Sequence, residues 1–269
     1  MKGVTPVRRI LMCPPDHYGI EYEINPWMDI RRGADRALVR RQWDGLHRFL
    51  TGELRVQVER VAPVEGLPDM VFTANAGLVC GGKFIRSNFR YPQRAGEAAH
   101  FEEWFAERGY EVVRLPEPLF FEGEGDAFIL GERLFAGYRF RSEIRSHTLI
   151  SEMLQKEALS LELVDPRFYH LDTCFCPLRE DLAIYYPDAF DAYANRVIEA
   201  HIPNRIAVTP EDALRFGCNA AVIGGHVVIN AGCADLRRQL EAAGYAVHEI
   251  ALSEFIKAGG SAKCLMLYL

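Results

Sequence analysis

AFILGERLFAG, residues 127–137, places two short apolar runs on either side of the pair Gly131-Glu132. Two such runs joined by a tight turn are typical of a β-hairpin. The same arrangement occurs in residues 76–87, 176–186 and 220–230. The turn centres are about 50, 49 and 44 residues apart, and an even spacing of this size predicts a structural repeat.

Amphipathic helix patterns lie between the predicted hairpins. Their predicted ranges are 35–50, 95–108, 142–158, 188–200 and 234–243. Two of these patterns end in a glycine, Gly109 and Gly244, which is followed by tyrosine and an apolar run. A glycine in this position is typical of a helix C-cap that leads into a strand. The predicted unit is therefore hairpin, helix and strand.

Four of these units are internal, and the two ends of the chain can supply a fifth. The C-terminal run 264–269 would pair with the N-terminal run 8–13, which would leave no terminal edge strand exposed. We therefore predict a single closed α/β domain over residues 1–269 with about fivefold pseudo-symmetry. A parallel doubly wound sheet is disfavoured, because hairpins imply antiparallel pairs.

Composition and charge exclude several classes of protein. Of the 269 residues, 49% are apolar and 25% charged, as in an average globular protein, and the formal charge of −6 disfavours nucleic acid as a partner. No apolar run approaches the length of a membrane span, and the run at residues 10–13 is too short for a signal peptide. Seven sparse cysteines favour a reducing compartment. We expect a cytoplasmic protein with no membrane partner.

Two segments carry candidate groups for covalent and proton-transfer chemistry. Cys264 lies in GGSAKCL (259–265), where the neighbouring Lys263 would favour a thiolate; the alternative is a core cysteine. His170 and Asp172 lie in HLDTCF (170–175). In a strand they would project to the same face, where they would transfer a proton and hold a cation. The alternative for His170 is a hydrogen-bonded core histidine.

Three carboxylates, those of Glu122, Glu124 and Asp126, fall within FEGEGD (121–126) just before a hairpin. Repulsion within such a cluster is relieved when a cationic group binds beside it. The alternatives are a solvated acidic turn and a magnesium or calcium site. The segment lacks the calcium-loop pattern, and no nucleotide-binding motif follows a strand, so no metal or organic cofactor is predicted. Four arginines that follow the first two hairpins suit a substrate carboxylate or an exposed surface: Arg90, Arg94, Arg139 and Arg141.

In this order, FTAN (72–75), FEGEGD (121–126), HLDT (170–173) and the C-terminal Gly-Gly-x-x-x-Cys264 resemble the guanidine-modifying (pentein) superfamily. The resemblance covers essentially the whole chain and implies a fivefold pseudo-symmetric α/β propeller. Residues 12–18 and 24–28 look like the arginine dihydrolase branch, which cyanobacteria fuse to an ornithine cyclodeaminase domain. Other members are arginine deiminases, dimethylarginine dimethylaminohydrolases and amidinotransferases.

The resemblance also implies roles for individual residues. Cys264 matches the nucleophile, His170 the general acid/base, and Glu122 the catalytic carboxylate, with Glu124 as the alternative. The implied substrate-binding residues are Asn75, Asp172, Arg94, Arg141, Arg90, Asp126 and Asn25. Among these, Asp172 matches the acid that pairs with the guanidinium, and Arg94 and Arg141 match contacts to the substrate carboxylate.

Asn75 is the informative departure within this resemblance. Deiminases and dimethylarginine hydrolases carry aspartate at this position, whereas dihydrolases carry asparagine. The implied activity is therefore two rounds of arginine hydrolysis through a covalent cysteine intermediate, giving ornithine, CO2 and two ammonia. Alternatives are a deiminase, a dimethylarginine hydrolase, an amidinotransferase or a non-catalytic binder like the superfamily's ribosome-associated translation factor. A small guanidino compound is the expected partner, a homo-oligomer is left open, and residues 18–28 are a candidate lid.

Overall fold

The computed structural model of the chain describes residues 9–269. Within that range the strands are β1 (Arg9–Met12), β2 (Gln57–Arg60), β3 (Gly77–Cys80), β4 (Lys83–Arg86), β5 (Glu111–Arg114), β6 (Ala127–Leu130), β7 (Arg133–Tyr138), β8 (Glu157–Glu162), β9 (Phe175–Arg179), β10 (Leu182–Tyr185), β11 (Asn204–Ala207), β12 (Ala221–Ile223), β13 (His226–Asn230), β14 (Ala246–Ile250) and β15 (Leu267–Tyr268). The α-helices are α1 (Arg36–Arg48), α2 (Pro92–Ala95), α3 (Glu97–Glu107), α4 (Ile144–Leu154), α5 (Ala192–His201), α6 (Pro210–Leu214), α7 (Ala234–Ala242) and α8 (Ser253–Ile256).

These strands form five three-stranded sheets of one plan: β15-β1-β2, β3-β4-β5, β6-β7-β8, β9-β10-β11 and β12-β13-β14. In each sheet the first two strands are antiparallel, and the third pairs in parallel with the middle strand. A helix connects the middle strand to the third, as a parallel crossover requires. The predicted unit of hairpin, helix and strand is confirmed.

The two ends of the described chain close the arrangement. Strand β15 pairs antiparallel with β1, with Tyr268 opposite Ile10 and Leu267 opposite Leu11. The predicted pairing of the C-terminal and N-terminal runs is thus confirmed, although the strands are shorter than the runs and residue 8 lies outside the described residues. Cys264 lies ahead of β15, in a turn.

Helix positions agree with the sequence periodicity, and most of the differences lie at the ends. Helix α1 begins after Asp35, whose carboxylate accepts a hydrogen bond from the Leu38 amide, as an N-cap should. Helix α4 ends at Leu154, so the predicted continuation to residue 158 is wrong. Gln155 adopts a left-handed conformation with φ of 52°, and β8 begins two residues later at Glu157.

Apolar helix faces cover the sheets and produce most of the core. Phe84 of β4 stacks on Phe105 of α3 with ring centroids 3.7 Å apart, and both side chains are fully buried. Burial of each such side chain contributes roughly 1.5–3 kcal/mol. Within the described residues, no helix has both the length and the apolar character needed to cross a bilayer.

The first strands of the five sheets surround a narrow cavity of about 190 Å³. Every one of these strands contributes to its wall, through residues that include Leu78, Phe128, Cys176, Val222 and Tyr268. The wall is mainly apolar, and one carboxylate, that of Glu124, lines it. The five sheets therefore enclose a common axis, and the segments that enter the first strands converge near it.

Candidate active site

Short turns that precede the first strands carry most of the candidate residues. Three of these turns are 3-10 helices, Thr73–Ala76, Gly123–Gly125 and Leu171–Thr173. Gly123 has a φ of 61°, and a Cβ there would lie 2.6 Å from backbone atoms of Gly77. The second turn therefore requires glycine to approach the first one closely.

Cys264 is 2% exposed and has two polar neighbours at its sulfur. Asp172 Oδ2 lies 3.2 Å from Sγ, and Asn219 Nδ2 lies 3.1 Å from it. Burial and the nearby Asp172 carboxylate raise the pKa of the Cys264 thiol well above its ordinary value. The prediction that Lys263 favours a Cys264 thiolate is wrong, because the Lys263 ammonium pairs with Glu124 instead, 2.8 Å from Oε2.

His170 and Asp172 point to different partners, and their predicted common strand face is wrong. His170 precedes the 3-10 turn Leu171–Thr173, and Asp172 lies within it. In a helical turn, side chains two residues apart do not point to the same face. His170 Nε2 lies 2.8 Å from Glu122 Oε2, whereas Asp172 faces Cys264. The pKa of Asp172 is raised by burial to about 6.

Glu122 connects His170 with Arg141, whose Nη1 donates to Oε2 at 2.9 Å. All three side chains are buried. Burial acts to raise the pKa of Glu122, but the Arg141 guanidinium and the His170 hydrogen bond hold it well below its usual range. Arg141 also lies between the rings of Tyr91 and Tyr169, 4.8 and 4.5 Å from their centroids. Glu122 is thus an ionised carboxylate that orients the imidazole.

The other two carboxylates of the acidic segment have separate partners. Glu124 pairs with Lys263, which directs it into the axial cavity and away from His170. Asp126 accepts from Ser142 Oγ at 2.6 Å and from the Leu171 amide at 3.0 Å, so it connects two loops. Across residues 9–269, no three or more His, Cys, Asp or Glu side chains are arranged to hold a metal ion. The geometry supports Glu122 over Glu124 as the group that works with His170.

Arg94 holds Asn75 in one orientation. Its guanidinium forms two hydrogen bonds to Glu97, at 2.7 and 2.8 Å, and donates from Nη1 to Asn75 Oδ1 at 2.8 Å. Since a guanidinium only donates, the amide oxygen must face it and the amide nitrogen must point elsewhere. Asn75 Nδ2 has no hydrogen-bond partner and lies against Gly125, next to the His170 ring.

Arg90 and Asn25 lie around this centre. The Arg90 backbone amide donates to Glu122 at 3.1 Å, and its Nε donates to the Arg141 carbonyl at 3.2 Å. Asn25 donates to the Ala258 carbonyl at 3.0 Å and so connects residues 18–28 with the segment that leads to Cys264. The same segment accepts from Arg141 through the Ile24 carbonyl. Residues 18–28 therefore cover the site, and their role as a mobile lid stays a prediction.

Three further buried polar residues of this centre were not predicted from the sequence: Asp69, Glu97 and Asn219. Asp69 has an unpartnered Oδ1 beside Arg94, and Glu97 fixes Arg94 from the other side. Asn219, beside Cys264, had a detectable signal. Asn219 lies two residues before β12, the first strand of its sheet, and Asn75 lies two residues before β3, the first strand of another sheet. An alignment of the repeats would therefore have identified Asn219.

No family model matches the chain, but it is similar to several known proteins. The chain is 50% identical over 265 residues to the bifunctional arginine dihydrolase/ornithine cyclodeaminase ArgZ of Synechocystis sp., covering 96% of this chain and 37% of that protein. It therefore spans little more than a third of that relative's length. It is 41% identical over 260 residues to the N(G),N(G)-dimethylarginine dimethylaminohydrolase of Mycobacterium tuberculosis, covering 97% of this chain and 85% of that protein.

A crystal structure of the N-terminal domain of ArgZ shares the fold. In that structure an asparagine is replaced by serine and the protein is covalently bonded to a reaction intermediate. The TM-score is 0.93, with 49% identity and 97% coverage of both chains. The buried cysteine, histidine and carboxylates described above thus occur in a chain that belongs to the guanidine-modifying superfamily, with arginine dihydrolase domains and dimethylarginine dimethylaminohydrolases among its relatives.

Proposed function

We propose that this chain is an arginine dihydrolase, a hydrolase that cleaves the guanidino group of arginine in two rounds and leaves its inner nitrogen as the side-chain amine of ornithine. One observation carries the proposal: the turn at residues 170–173 supplies one member to each of two buried pairs, Asp172 with Cys264 and His170 with Glu122. Asn75, whose amide nitrogen has no partner, lies against Gly125 beside the His170 ring. The relatives named arginine dihydrolase, at about half identity, support the substrate class.

Substrate binding uses the charges of this centre. Asp172, with its unpartnered Oδ1, takes the guanidinium next to the sulfur, and Glu122 contributes a second negative charge. The positive charge of the substrate opposes the effect of Asp172 on Cys264. It lowers the pKa of the Cys264 thiol and promotes release of the thiol proton to solvent. The resemblance assigns the α-carboxylate to Arg94 and Arg141, whose guanidinium groups also pair with Glu97 and Glu122. Asp69 has an oxygen free for the α-ammonium.

The covalent cycle assigns nucleophilic attack to Cys264 and proton transfer to His170. The sulfur lone pair forms a bond to the guanidinium carbon, and the C=N electron pair moves onto nitrogen. His170, oriented by Glu122, protonates the amino nitrogen; its C–N bond then breaks, ammonia leaves and the C=N bond re-forms. Water next attacks the same carbon while His170 takes its proton. Breaking of the C–S bond returns the electron pair to sulfur and releases the ureido product, citrulline.

Asn75 favours a second cycle on that product. Its oxygen is held by Arg94, so the site receives an amide N–H donor, which suits the ureido oxygen and cannot accept from a guanidinium. A second attack by Cys264, on the ureido carbon, breaks the C–NH2 bond and releases another ammonia, which leaves a thiocarbamate on the sulfur. Water then attacks that carbon, the C–S bond breaks, and the resulting carbamate loses CO2 to give ornithine. The balance is arginine and two waters converted to ornithine, CO2 and two ammonia.

Product counting with the purified protein tests the proposal. Incubation with arginine is expected to give two ammonia per ornithine with little free citrulline, and Cys264→Ala, the inactive control, is expected to give none. One ammonia per citrulline would make the chain a deiminase, and turnover of dimethylarginine alone would make it a dimethylarginine hydrolase.

A further inference from the structure

Asn219 is the fourth repeat's contribution to the site. The turns before β3, β6, β9 and β15 supply Asn75, Glu122, Asp172 and Cys264, and Asn219 stands before β12. Its side chain is fully buried. Its amide nitrogen lies within hydrogen-bond distance of the Cys264 sulfur.

All four hydrogen-bonding positions of the Asn219 amide are used. Its Oδ1 accepts from the backbone amides of Ser261 at 3.0 Å and Cys264 at 3.2 Å. Both of these groups only donate, so the oxygen must face them and the nitrogen must face the other way. Nδ2 then donates to the Asp172 carbonyl and to Cys264 Sγ, each at 3.1 Å. Residues 261–265, the nucleophile turn that carries Cys264, and the Asn219 amide thus fix each other.

The charges around Cys264 show why this donor matters. The Asp172 carboxylate lies 3.2 Å from the sulfur and opposes a negative charge there, and the nearby Tyr169 hydroxyl is neutral because burial raises its pKa well above the usual value. Lys263 is adjacent in sequence but pairs with Glu124. In residues 9–269 the side-chain donor placed on Sγ is that of Asn219.

We propose that Asn219 is a further catalytic residue, whose amide N–H stabilises the negative charge on the Cys264 sulfur. This role rests on the proposed covalent cycle. The sulfur is anionic when its lone pair forms the C–S bond and again when that bond breaks and the pair returns to it. One preorganised donor therefore assists both steps of both rounds, and costs no reorganisation during the reaction.

Alkylation of Cys264 by iodoacetamide between pH 6 and 10, followed peptide by peptide by mass spectrometry, tests this role without arginine. Asn219→Asp keeps an oxygen for the Ser261 and Cys264 amides but replaces the donor with a carboxylate. Since a hydrogen bond to a charged group contributes about tenfold or more, alkylation at pH 8 is expected to fall at least that much and to require higher pH.

Asn230→Asp is the matched control. Asn230 is also buried, accepts from the Leu252 amide and donates to the Arg215 carbonyl, but has no contact with the sulfur. Its replacement is expected to leave the pH profile of Cys264 alkylation unchanged. The partly exposed Cys80 in each sample serves as the internal reference.

An unchanged alkylation profile in folded Asn219→Asp would overturn the proposal and leave Asn219 a purely structural residue. If that variant does not fold, Asn219→Ser is measured instead: slower alkylation than wild type supports the role, and wild-type alkylation overturns it. Failure of the wild type to act on arginine would count against the proposed function alone, because alkylation needs no substrate.

Discussion

At the scale of single residues, the reactivity of Cys264 depends on Asp172. The carboxylate lies 3.2 Å from Sγ and, with burial, raises the pKa of the thiol. Asp172→Asn removes that negative charge, so the thiol pKa falls and a larger thiolate fraction exists at any pH below it. We expect Cys264 to be alkylated by iodoacetamide about tenfold faster at pH 8, since one pKa unit is a factor of ten, while arginine turnover is lost.

Asp126→Asn is the control for this experiment. Asp126 is another buried carboxylate of the site region, but its oxygens bind Ser142 and the Leu171 amide. The substitution is expected to leave Cys264 alkylation at the wild-type rate. Equal alkylation in the Asp172 variant and the wild type would show that burial alone suppresses the thiolate.

Asn75 is expected to affect the second round of hydrolysis without stopping the first. In Asn75→Asp the group facing Arg94 and Gly125 becomes a carboxylate, which binds a guanidinium and offers no N–H donor to a ureido oxygen. The first round is expected to continue while citrulline is released before the second. Chromatographic counting of citrulline and ornithine from arginine should then show citrulline as the main product. An unchanged ornithine output would remove Asn75 from the specificity argument.

At the scale of the elements, the 3-10 turns decide how closely the site residues approach. Gly125 has Asn75 Nδ2 2.3 Å and the His170 ring 3.3 Å from where a Cβ would lie. Gly125→Ala must therefore displace one or both groups. Because a displacement of about 1 Å can cost 10²-fold in rate, we expect at least a tenfold loss of kcat with arginine.

Gly225→Ala is the matched control for that substitution. Gly225 lies in the turn between β12 and β13, and nothing lies within 4 Å of a Cβ added there. Wild-type kcat is expected in this variant. If Gly125→Ala also retained wild-type kcat, the contact among the turns would not limit catalysis.

The same elements show what the sequence can and cannot predict. Hairpins were predictable because a two-residue turn and two apolar runs are local signals, as around Gly131. The turns before them were not, since their form depends on contacts such as that between Gly123 and Gly77 from another repeat. This is why His170 and Asp172 were expected on one strand face. The role of Asn219 likewise comes from partners distant in sequence, Asp172 and Cys264.

At the scale of the whole molecule, closure of the five sheets and assembly of the site are coupled. Leu267 of β15 is fully buried, pairs with Leu11 of β1 and stands three residues after Cys264. The short strand that completes the fifth sheet therefore also anchors the nucleophile turn. The Glu124–Lys263 pair and the Tyr268 amide, which donates to Glu124 at 3.2 Å, tie this end to the acidic segment.

Leu267→Ala tests this coupling. Deleting a buried leucine side chain costs about 2–5 kcal/mol, and the cost should appear as a lower urea midpoint for unfolding. Because β15 follows the nucleophile turn directly, kcat with arginine should fall even where the variant is folded. Leu214→Ala is the control, since Leu214 is 41% exposed and should change stability by no more than about 0.5 kcal/mol. Equal urea midpoints for the two variants would show that the closing strand contributes little to the ring, and loss of stability with unchanged kcat would show that closure and catalysis are independent.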